Sequence, residues 1–185
     1  LIASHGHTIF HQPDLSFTAQ IGCSATINAL TEIKTICDFR STDVALGGQG
    51  APLVPIGDEL LFNEYDACLN LGGIANISFK EKNTRKAYDV SFANLPLNYI
   101  CSNHFNCDYD KDGAIGKSGK VNSNLMTHLN QLSFYSKPNP KSLGREDFEQ
   151  DILPLISDIK PEDVLATFYE HFTTIIAKEI DEFSL

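Results

Sequence analysis

Short runs of alternating apolar and polar residues dominate the N-terminal third of the chain and predict strands that alternate with helices. Strand patterns cover Leu1–Ser4, Ser16–Ile21 and Glu32–Cys37, and a helical pattern covers Ala25–Thr31. The Gly- and Pro-rich sequence GGQGAPLVPIGDE, residues 47–59, then separates this region from the rest. This order of elements predicts an α/β unit.

A second region begins with three apolar runs joined by short turns. The pattern predicts strands at Ala67–Leu71, Asn76–Lys80 and Lys86–Val90, with a tight turn at Gly72-Gly73 after the first. Consecutive strands joined in this way predict a β-meander.

The rest of the chain, from Asn94 onward, has mostly helical spacing, interrupted by a loop at SKPNPKSLG, residues 136–144. The clearest helix begins at Pro161, because proline fits the first turn of a helix. We expect its apolar face to be buried in a core or an interface. The residues of that face are Val164, Leu165, Phe168, Phe172, Ile175, Ile176 and Ile180.

Composition and net charge argue against several classes of protein function for this chain. The chain has 185 residues, of which 42% are hydrophobic and 21% charged, so it is long enough to bury a core. A net charge of −10 repels the phosphate backbone of nucleic acid, and we therefore expect no nucleic-acid partner. No apolar run has the length that crossing a bilayer requires. Five cysteines at irregular spacing do not form a disulfide framework, which favours the cytoplasm.

Two motifs suggest ligands but lack an essential part. DYDKDG, residues 108–113, matches the start of a calcium loop, yet the twelfth position is Gly119 rather than the required Glu. GAIGKSGK, residues 113–120, ends like a phosphate-binding P-loop, but only two residues separate its first two glycines where the P-loop has four. We expect neither site.

Three histidines near the start of the chain, His5, His7 and His11, raise the question of a zinc site. No Cys or carboxylate lies beside them at the ligand spacing of a zinc motif. We therefore expect structural or substrate-contacting histidines and no metal site.

The segment NLGGIANIS, residues 70–78, has the form of a phosphate-cradling hairpin. Gly72 and Gly73 carry no side chain, so the backbone N–H groups of the turn are open to an anion. Asn70 and Asn76 can add side-chain donors. The alternative is a simple hairpin turn without a ligand.

A second candidate is DFRSTD, residues 38–43, which directly follows a predicted strand. Residues at the carboxyl end of a strand in an α/β sheet face the usual ligand crevice. Arg40 can bind a carboxylate or phosphate through two parallel hydrogen bonds. The alternative is a surface ion pair between Arg40 and Asp43.

The third candidate is YDVSFAN, residues 88–94. Asp89 lies at the end of a predicted strand, where a carboxylate can take a proton from water, and Asn94 opens a helix whose N-terminus adds donors. The alternative is an Asp that only caps the following turn.

Taken in order, these segments resemble successive motifs of anhydro-N-acetylmuramic acid kinases. The matching stretches are SHGHTIFHQP, FTAQIG, CDFRSTDVALGGQGAPLVP, LNLGGIANISF, YDVSFANLPLN, YDKDG and PKSLGREDF, and they cover nearly the whole chain. The resemblance implies the two-lobed actin-like ATPase fold of sugar kinases and heat-shock ATPases. Residues 1–62 would belong to the first lobe and residues 63–185 to the second.

The resemblance also implies an activity that uses ATP and Mg²⁺ in cell-wall recycling. Family members open the 1,6-anhydro bridge of anhydro-N-acetylmuramic acid with water and phosphorylate O6, which gives N-acetylmuramic acid 6-phosphate. Asp89 matches the family's general base. The implied ATP contacts are Asn70, Gly72, Gly73 and Asn76, and the implied sugar contacts are Ser4, His5, Gly6, His7, Arg40 and Asn94.

Two motifs depart from the family pattern. The family's Asp-Thr-Gly-Pro-Gly-Asn is DVSFAN here, which keeps Asp89 and Asn94 but loses both glycines and the proline. Ser-His-Gly-Gln-Thr is SHGHT, so His7 replaces Gln and brings a pH-dependent group. The alternative to a working kinase is therefore a non-catalytic fragment or degenerate relative that keeps the fold and sugar binding.

The resemblance covers only part of a family member. The first phosphate motif is expected before Leu1 and the adenosine-binding segment after Leu185, so we expect the isolated chain to be inactive. The implied partners are the amino sugar, ATP and a second copy in a homodimer, for which the apolar face of the last helix is a candidate interface.

Overall fold

The computed structural model describes residues 1–50 and 53–182, and its contacts divide the chain into two compact units. The N-terminal unit comprises Leu1–Ile56 and the C-terminal unit comprises Gly57–Leu185. Both units combine strands and helices, which confirms the mixed α/β class. The assignment of the chain to two lobes of an actin-like fold stays a prediction.

The N-terminal unit is built from short strands and short helices. Its strands are β1 (Ile2–Ala3), β2 (His7–Gln12), β3 (Phe17–Ile21) and β4 (Thr35–Ile36). Its helices are α1 (Ser24–Thr31), α2 (Ser41–Ala45) and the first part of α3 (Val54–Leu61), which continues into the C-terminal unit. β2 and β3 form an antiparallel hairpin around the 3-10 turn Pro13–Leu15, and β1 pairs with β4 in parallel.

The strands β1 and β4 are shorter than the sequence predicts. Glu32, the first residue of the predicted strand, instead ends α1 in the left-handed conformation with φ 57°. Its backbone N–H donates to the Asn28 carbonyl and closes the last helical turn. Pairing therefore begins only at Thr35.

Three α-helices or β-strands of the N-terminal unit are absent from the sequence prediction, namely β2, α2 and α3. β2 has no strict alternation of apolar and polar residues in HTIFHQ, and its pairing with β3 shows it to be a strand. The predicted separating segment, residues 47–59, contains the start of α3 at Val54, and Pro55 fits the first helical turn. Ala51 and Pro52 of that segment lie outside the described residues.

Three antiparallel strands open the C-terminal unit and confirm the predicted β-meander. They are β5 (Ala67–Leu71), β6 (Ile74–Glu81) and β7 (Thr84–Phe92), paired in that order. β6 and β7 extend beyond the predicted segments at both ends, because the paired backbone continues through polar residues as far as Glu81 and Thr84, which pair beside the turn at Lys82-Asn83.

The register of β6 against β7 shifts beside the middle of the sheet. Ala75 pairs with Ser91 but the next residue, Asn76, pairs with Asp89, so Val90 is an extra residue in β7. Such a β-bulge bends the strand and redirects its side chains.

Helices and helical turns form the remainder of the C-terminal unit, as the sequence predicts. They are α4 (Asn94–Ile100), α5 (Ala114–Ser118), α6 (Ser123–Asn130), α7 (Arg145–Asp147), α8 (Leu153–Ile156) and α9 (Pro161–Glu182). π-helical turns at Cys101–Phe105 and Phe148–Ile152 extend α4 and join α7 to α8. Among the described residues, none of these helices combines the length and apolar character that crossing a membrane requires.

The long helix α9 supplies the centre of the core, as its apolar spacing predicts. Val164, Leu165 and Phe168 are buried in a cluster with side chains of α4, α6 and α8. Ile176 is buried farther along the same helix against one face of the sheet. Ile180, near the end of the predicted apolar face, is 44% exposed and lies outside this core.

Candidate functional site

Three polar side chains form a row across the C-terminal sheet. Asn76 on β6 is the register partner of Asn70 on β5 and of Asp89 on β7. Ala75 and Ile77, which flank Asn76, are buried in the core, so Asn76 projects from the opposite face. The structure therefore brings two predicted phosphate-binding side chains and the predicted base into one row of the sheet.

The Gly72-Gly73 turn at the end of this sheet is fixed to the start of α4. The Gly73 carbonyl accepts hydrogen bonds from the N–H groups of Ala93 and Leu95, and the Gly72 carbonyl accepts one from Asn94. The Asn94 side-chain amide donates to the carbonyls of Leu71 and Gly72, 2.9 and 3.0 Å away. These bonds engage the Nδ2 donor of Asn94 and hold its side chain against the turn.

The protein's own packing does not require glycine at position 72. Neither Gly72 nor Gly73 has a φ in the left-handed region that favours glycine. A Cβ on Gly72 would make only ordinary contacts, 3.5 Å or more from the Ile74 carbonyl and the Asn70 amide. The absence of a side chain instead keeps one side of the turn open to an approaching group.

Asp89 is anchored on one side by the loop that precedes α7. Its backbone N–H donates to the Lys141 carbonyl at 2.9 Å, and its Oδ2 accepts the Leu143 N–H at 2.8 Å. The other oxygen, Oδ1, has no donor within the part of the chain that the structure describes. The bond to Oδ2 therefore fixes the orientation of the carboxylate, and Oδ1 can still accept a hydrogen bond.

Burial raises the pKa of the Asp89 carboxyl above its ordinary value, and the hydrogen bond from Leu143 acts in the opposite direction. A raised pKa makes the ionised carboxylate a stronger base. Perturbed carboxylates of this kind are typical of functional sites.

The position of Asp89 differs from the sequence prediction. β7 continues to Phe92, so Asp89 lies inside the strand, next to the bulge at Val90, and not at the strand end. The following turn is not capped by its side chain, whose bond goes to Leu143, so the turn-capping alternative is wrong.

In the N-terminal unit, the structure places His5 beside Arg40. The Arg40 Nε–H donates to His5 Nε2 at 2.9 Å, and His5 Nδ1 lies 2.9 Å from the Gly6 carbonyl. Because Nε2 accepts, the ring carries its proton on Nδ1, which donates to Gly6. The remaining guanidinium N–H groups of Arg40 are left for an anionic or hydroxyl ligand. Partial burial also lowers the pKa of Arg40, although a guanidinium stays protonated.

The other predicted sugar-contacting residues of the N-terminal unit adjoin His5 in the sequence. Gly6 has φ +72° and a Cβ there would overlap the Ile21 carbonyl, so its backbone requires glycine. Ser4 extends β1 with a hydrogen bond from its N–H to the Ile36 carbonyl. His7 begins β2 opposite Ile21 and is exposed.

The alternative of an ion pair between Arg40 and Asp43 is wrong for this structure. Asp43 Oδ2 accepts the Gly50 N–H at 2.6 Å and holds the turn after α2. Asp38 accepts a hydrogen bond from Ser41. Local backbone and hydroxyl donors have displaced the ion pair that sequence proximity suggested.

The motif that resembles a calcium loop has a structural role. Asp110 accepts the N–H groups of Ile115 and Gly116, each at 2.8 Å, and a hydrogen bond from the Tyr169 hydroxyl on α9. These bonds cap α5, which also occupies the segment that resembles a P-loop. Within residues 1–50 and 53–182, no group of three or more His, Cys, Asp or Glu side chains is placed to hold a metal ion.

Sequence reasoning missed the contact between Asp89 and the loop at Lys141–Gly144. The sequence predicts a loop there and gives it no function. The separation of 54 positions between Asp89 and Leu143 hides the contact from any local pattern. The one signal was PKSLGREDF, which resembles a family motif but does not indicate by itself that the backbone N–H of Leu143 bonds to Asp89.

Comparison with known proteins finds the same family that the sequence motifs resemble. A family model described as anhydro-N-acetylmuramic acid kinase matches residues 1–184. Curated proteins of that name include one from Aliivibrio fischeri, 40% identical over 100% of this chain and 53% of the relative. Others come from Pseudomonas syringae pv. syringae, 42% identical over 91% of this chain and 49% of the relative, and Hydrogenovibrio crunogenus, 39% identical over 90% and 47%.

The chain therefore belongs to the anhydro-N-acetylmuramic acid kinase family. It spans about half the length of the curated relatives it matches.

Proposed function

We propose that the whole protein is an ATP-dependent kinase that opens 1,6-anhydro-N-acetylmuramic acid with water and phosphorylates its O6. Water attacks C1, the bond between C1 and O6 breaks, and O6 takes the γ-phosphoryl group of ATP. The products are N-acetylmuramic acid 6-phosphate and ADP. The observation that carries this proposal is the row of Asn70, Asn76 and Asp89, which aligns two amide side chains with a carboxylate suited to a base.

Asp89 is the proposed general base toward the attacking water. Proton transfer requires an ionised carboxylate within hydrogen-bond reach of that water and a fixed orientation. The Leu143 N–H fixes Oδ2, and Oδ1 is the oxygen that would accept the proton. The raised pKa of Asp89 supports this role.

The Gly72-Gly73 turn is the proposed contact to the ATP phosphates. Its side-chain-free backbone is open to close approach, and the amides of Asn70 and Asn76 lie in the neighbouring row to donate hydrogen bonds. Mg²⁺, carried by the phosphates themselves, would neutralise the charge that develops on the transferred group. We derive no protein-held metal site from the described residues.

The N-terminal unit is the proposed source of sugar contacts, through Ser4, His5, Gly6, His7 and Arg40. The His5–Arg40 hydrogen bond supports this assignment, because it aims a guanidinium whose other donors suit the lactyl carboxylate of the sugar. Asn94 is the sugar contact proposed in the C-terminal unit.

Several further properties belong to the same proposal. The fold would be that of actin-like ATPases, the protein would act in the cytoplasm as a homodimer, and neither nucleic acid nor a membrane would be a partner. The net charge of −10 supports the exclusion of nucleic acid.

A substrate comparison tests the proposed function. The whole protein with Mg²⁺ and ATP is expected to consume ATP with anhydro-N-acetylmuramic acid and not with glucose, and the 6-phosphate is identified by mass spectrometry. Equal consumption with glucose and none with the anhydro sugar would refute the proposal. Binding of the anhydro sugar without any ATP consumption would favour the degenerate relative.

A further inference from the structure

The loop that anchors Asp89 is itself held by a carboxylate at the start of α7. Gly144, the residue after Leu143, donates its backbone N–H to Asp147 Oδ2 at 2.6 Å. Leu143 donates to Asp89 at 2.8 Å. Two consecutive N–H groups therefore each donate to a carboxylate, that of Leu143 to Asp89 on the strand and that of Gly144 to Asp147 on the helix.

We propose that Asp147 is a positioning residue for the general base, acting through the backbone of Leu143 and Gly144. This inference rests on the role of Asp89 in the proposed function. Asp147 does not touch the reacting atoms. It fixes the position of the Leu143 N–H, and that N–H fixes one oxygen of the Asp89 carboxylate.

The geometry explains why a carboxylate at position 147 can hold the Gly144 N–H. Gly144 is extended, with φ −120° and ψ 174°, and is the residue immediately before α7. Asp147 is three positions farther on, where a side chain reaches back to the N–H of the residue that precedes the helix. A charged acceptor makes this bond shorter and stronger than a neutral one. The Leu143 side chain packs against the main core cluster, which limits movement on the other side of the peptide.

The groups around Asp89 determine how a shift in its pKa is interpreted. Burial is the main influence on its pKa and the Leu143 N–H is the opposing one. Charged groups on the packed loop and on α7 are Lys137, Lys141, Arg145, Glu146 and Asp147, and the Lys141 ammonium lies 4.8 Å from the centre of the Phe134 ring. β6 contributes the neutral Asn76.

The test measures the Asp89 carboxyl directly in the 185-residue chain. ¹³C NMR of labelled aspartate carboxyls, with Asp89→Asn to assign the signal, gives the Asp89 pKa in each variant. Asp147→Ala removes the acceptor, so the Leu143 donor loosens and the Asp89 pKa is expected to rise further. Asp147→Asn keeps an acceptor oxygen and is expected to restore the pKa close to the original value. Glu149→Ala is the matched control, because Glu149 carries the same charge two positions farther on and pairs with exposed Arg145.

A parallel kinetic experiment uses the whole protein. The acid limb of kcat/KM is expected to move to higher pH in Asp147→Ala, with a severalfold loss below neutral pH and an unchanged KM for the sugar at high pH. An unchanged or lowered Asp89 pKa in Asp147→Ala overturns the inference, as does an equal shift in Glu149→Ala. If the pKa shifts as expected but Asp89→Asn remains fully active, Asp147 still positions Asp89 and the proposed function of Asp89 is what fails.

Discussion

The two compact units differ sharply in how much apolar surface they bury. Among the described residues, Val44 is the buried hydrophobic side chain of the N-terminal unit, whereas two buried clusters fill the C-terminal unit. In the N-terminal unit Leu30 and Leu46 are 82% and 83% exposed. The proposed base and phosphate turn are therefore supported by a packed core, while the His5–Arg40 pair is held mainly by hydrogen bonds.

This difference in packing matches the two tasks proposed for the units, which are to position the base and to bind the sugar. A base must be held at the reacting atom within a fraction of an ångström, which a close-packed core provides. A set of donors for a flexible sugar substituent tolerates more movement. We therefore expect changes in the C-terminal unit to affect turnover and stability, and changes in the N-terminal unit to affect substrate affinity.

The largest expected effect is on turnover in Asp89→Asn of the whole protein. Asparagine keeps the size of the side chain but cannot accept the proton, so kcat is expected to fall by about 10²–10⁴-fold with a nearly unchanged KM. Asp38→Asn and Asp43→Asn are the controls, because their carboxylates bond to Ser41 and Gly50 and are expected to act through KM or stability. Steady-state kinetics that locate the loss in kcat at Asp38 or Asp43 would show that the base is misassigned.

A second prediction compares one residue type in the two units. Phe168→Ala removes a ring that is 1% exposed in the main core and is expected to lower the free energy of unfolding by about 3–5 kcal/mol. Phe17→Ala removes a ring that is 49% exposed and contacts Phe10, which costs about 1 kcal/mol or less. Urea denaturation followed by circular dichroism measures both, with Phe168→Leu as a milder core variant. Equal losses would contradict the contrast between the units.

A third prediction concerns His171, a buried histidine on α9. Its Nε2 has no hydrogen-bond partner among the residues that the structure describes, its ring lies 5.4 Å from the Tyr135 ring, and burial lowers its pKa to about 4. The unfolded chain binds the proton near the ordinary value of about 6.5. The folded state therefore loses stability as pH falls from about 6.5 towards 4, by up to about 3 kcal/mol.

His171→Phe keeps the ring packing and removes the proton site, so it is expected to flatten this part of the stability curve. His128→Phe is the control, since His128 is exposed on α6. Unfolding free energies measured between pH 4 and 7 check the difference between the variants. An identical pH dependence in His171→Phe and the original chain would contradict the prediction.

Local patterns predicted the C-terminal unit well and the N-terminal unit less well, for a physical reason. The meander and the face of α9 have regular apolar spacing because both bury one side in a core. β2 and α3 bury little, so their sequences carry no such periodicity. Their structure follows from pairing and from the first-turn proline, which a hydrophobic pattern does not report.

The candidate site was predicted as separate residue types but not as an arrangement. Residue chemistry pointed to Asp89, Arg40 and the glycine turn. The register that aligns Asn76 with Asp89 depends on a bulge at Val90 that no sequence pattern marks. The contact with Leu143 depends on a backbone N–H, which every residue type except proline carries, so identity alone could not indicate it.

The smallest expected effect comes from comparing two glycines, one in each unit. Gly72→Ala meets only ordinary contacts and needs no left-handed φ, so the stability of the chain is expected to stay within about 0.5 kcal/mol of the original. At Gly6, φ is +72° and a Cβ would overlap the Ile21 carbonyl, so Gly6→Ala is expected to destabilise the N-terminal unit by about 1–3 kcal/mol.

If position 72 is glycine so that phosphates can approach, the methyl group added in Gly72→Ala should instead weaken ATP binding to the whole protein. A loss of about 1 kcal/mol, roughly fivefold in Kd, is the expected size for one displaced backbone hydrogen bond. Calorimetric titration with ATP and Mg²⁺ measures it, and unchanged ATP affinity in Gly72→Ala would remove the turn from the proposed phosphate site. Because Gly6 lies in the other unit, Gly6→Ala is expected to lower affinity for the sugar and to leave ATP affinity unchanged. The two variants therefore distinguish a glycine that the backbone conformation requires from a glycine that the ligand requires.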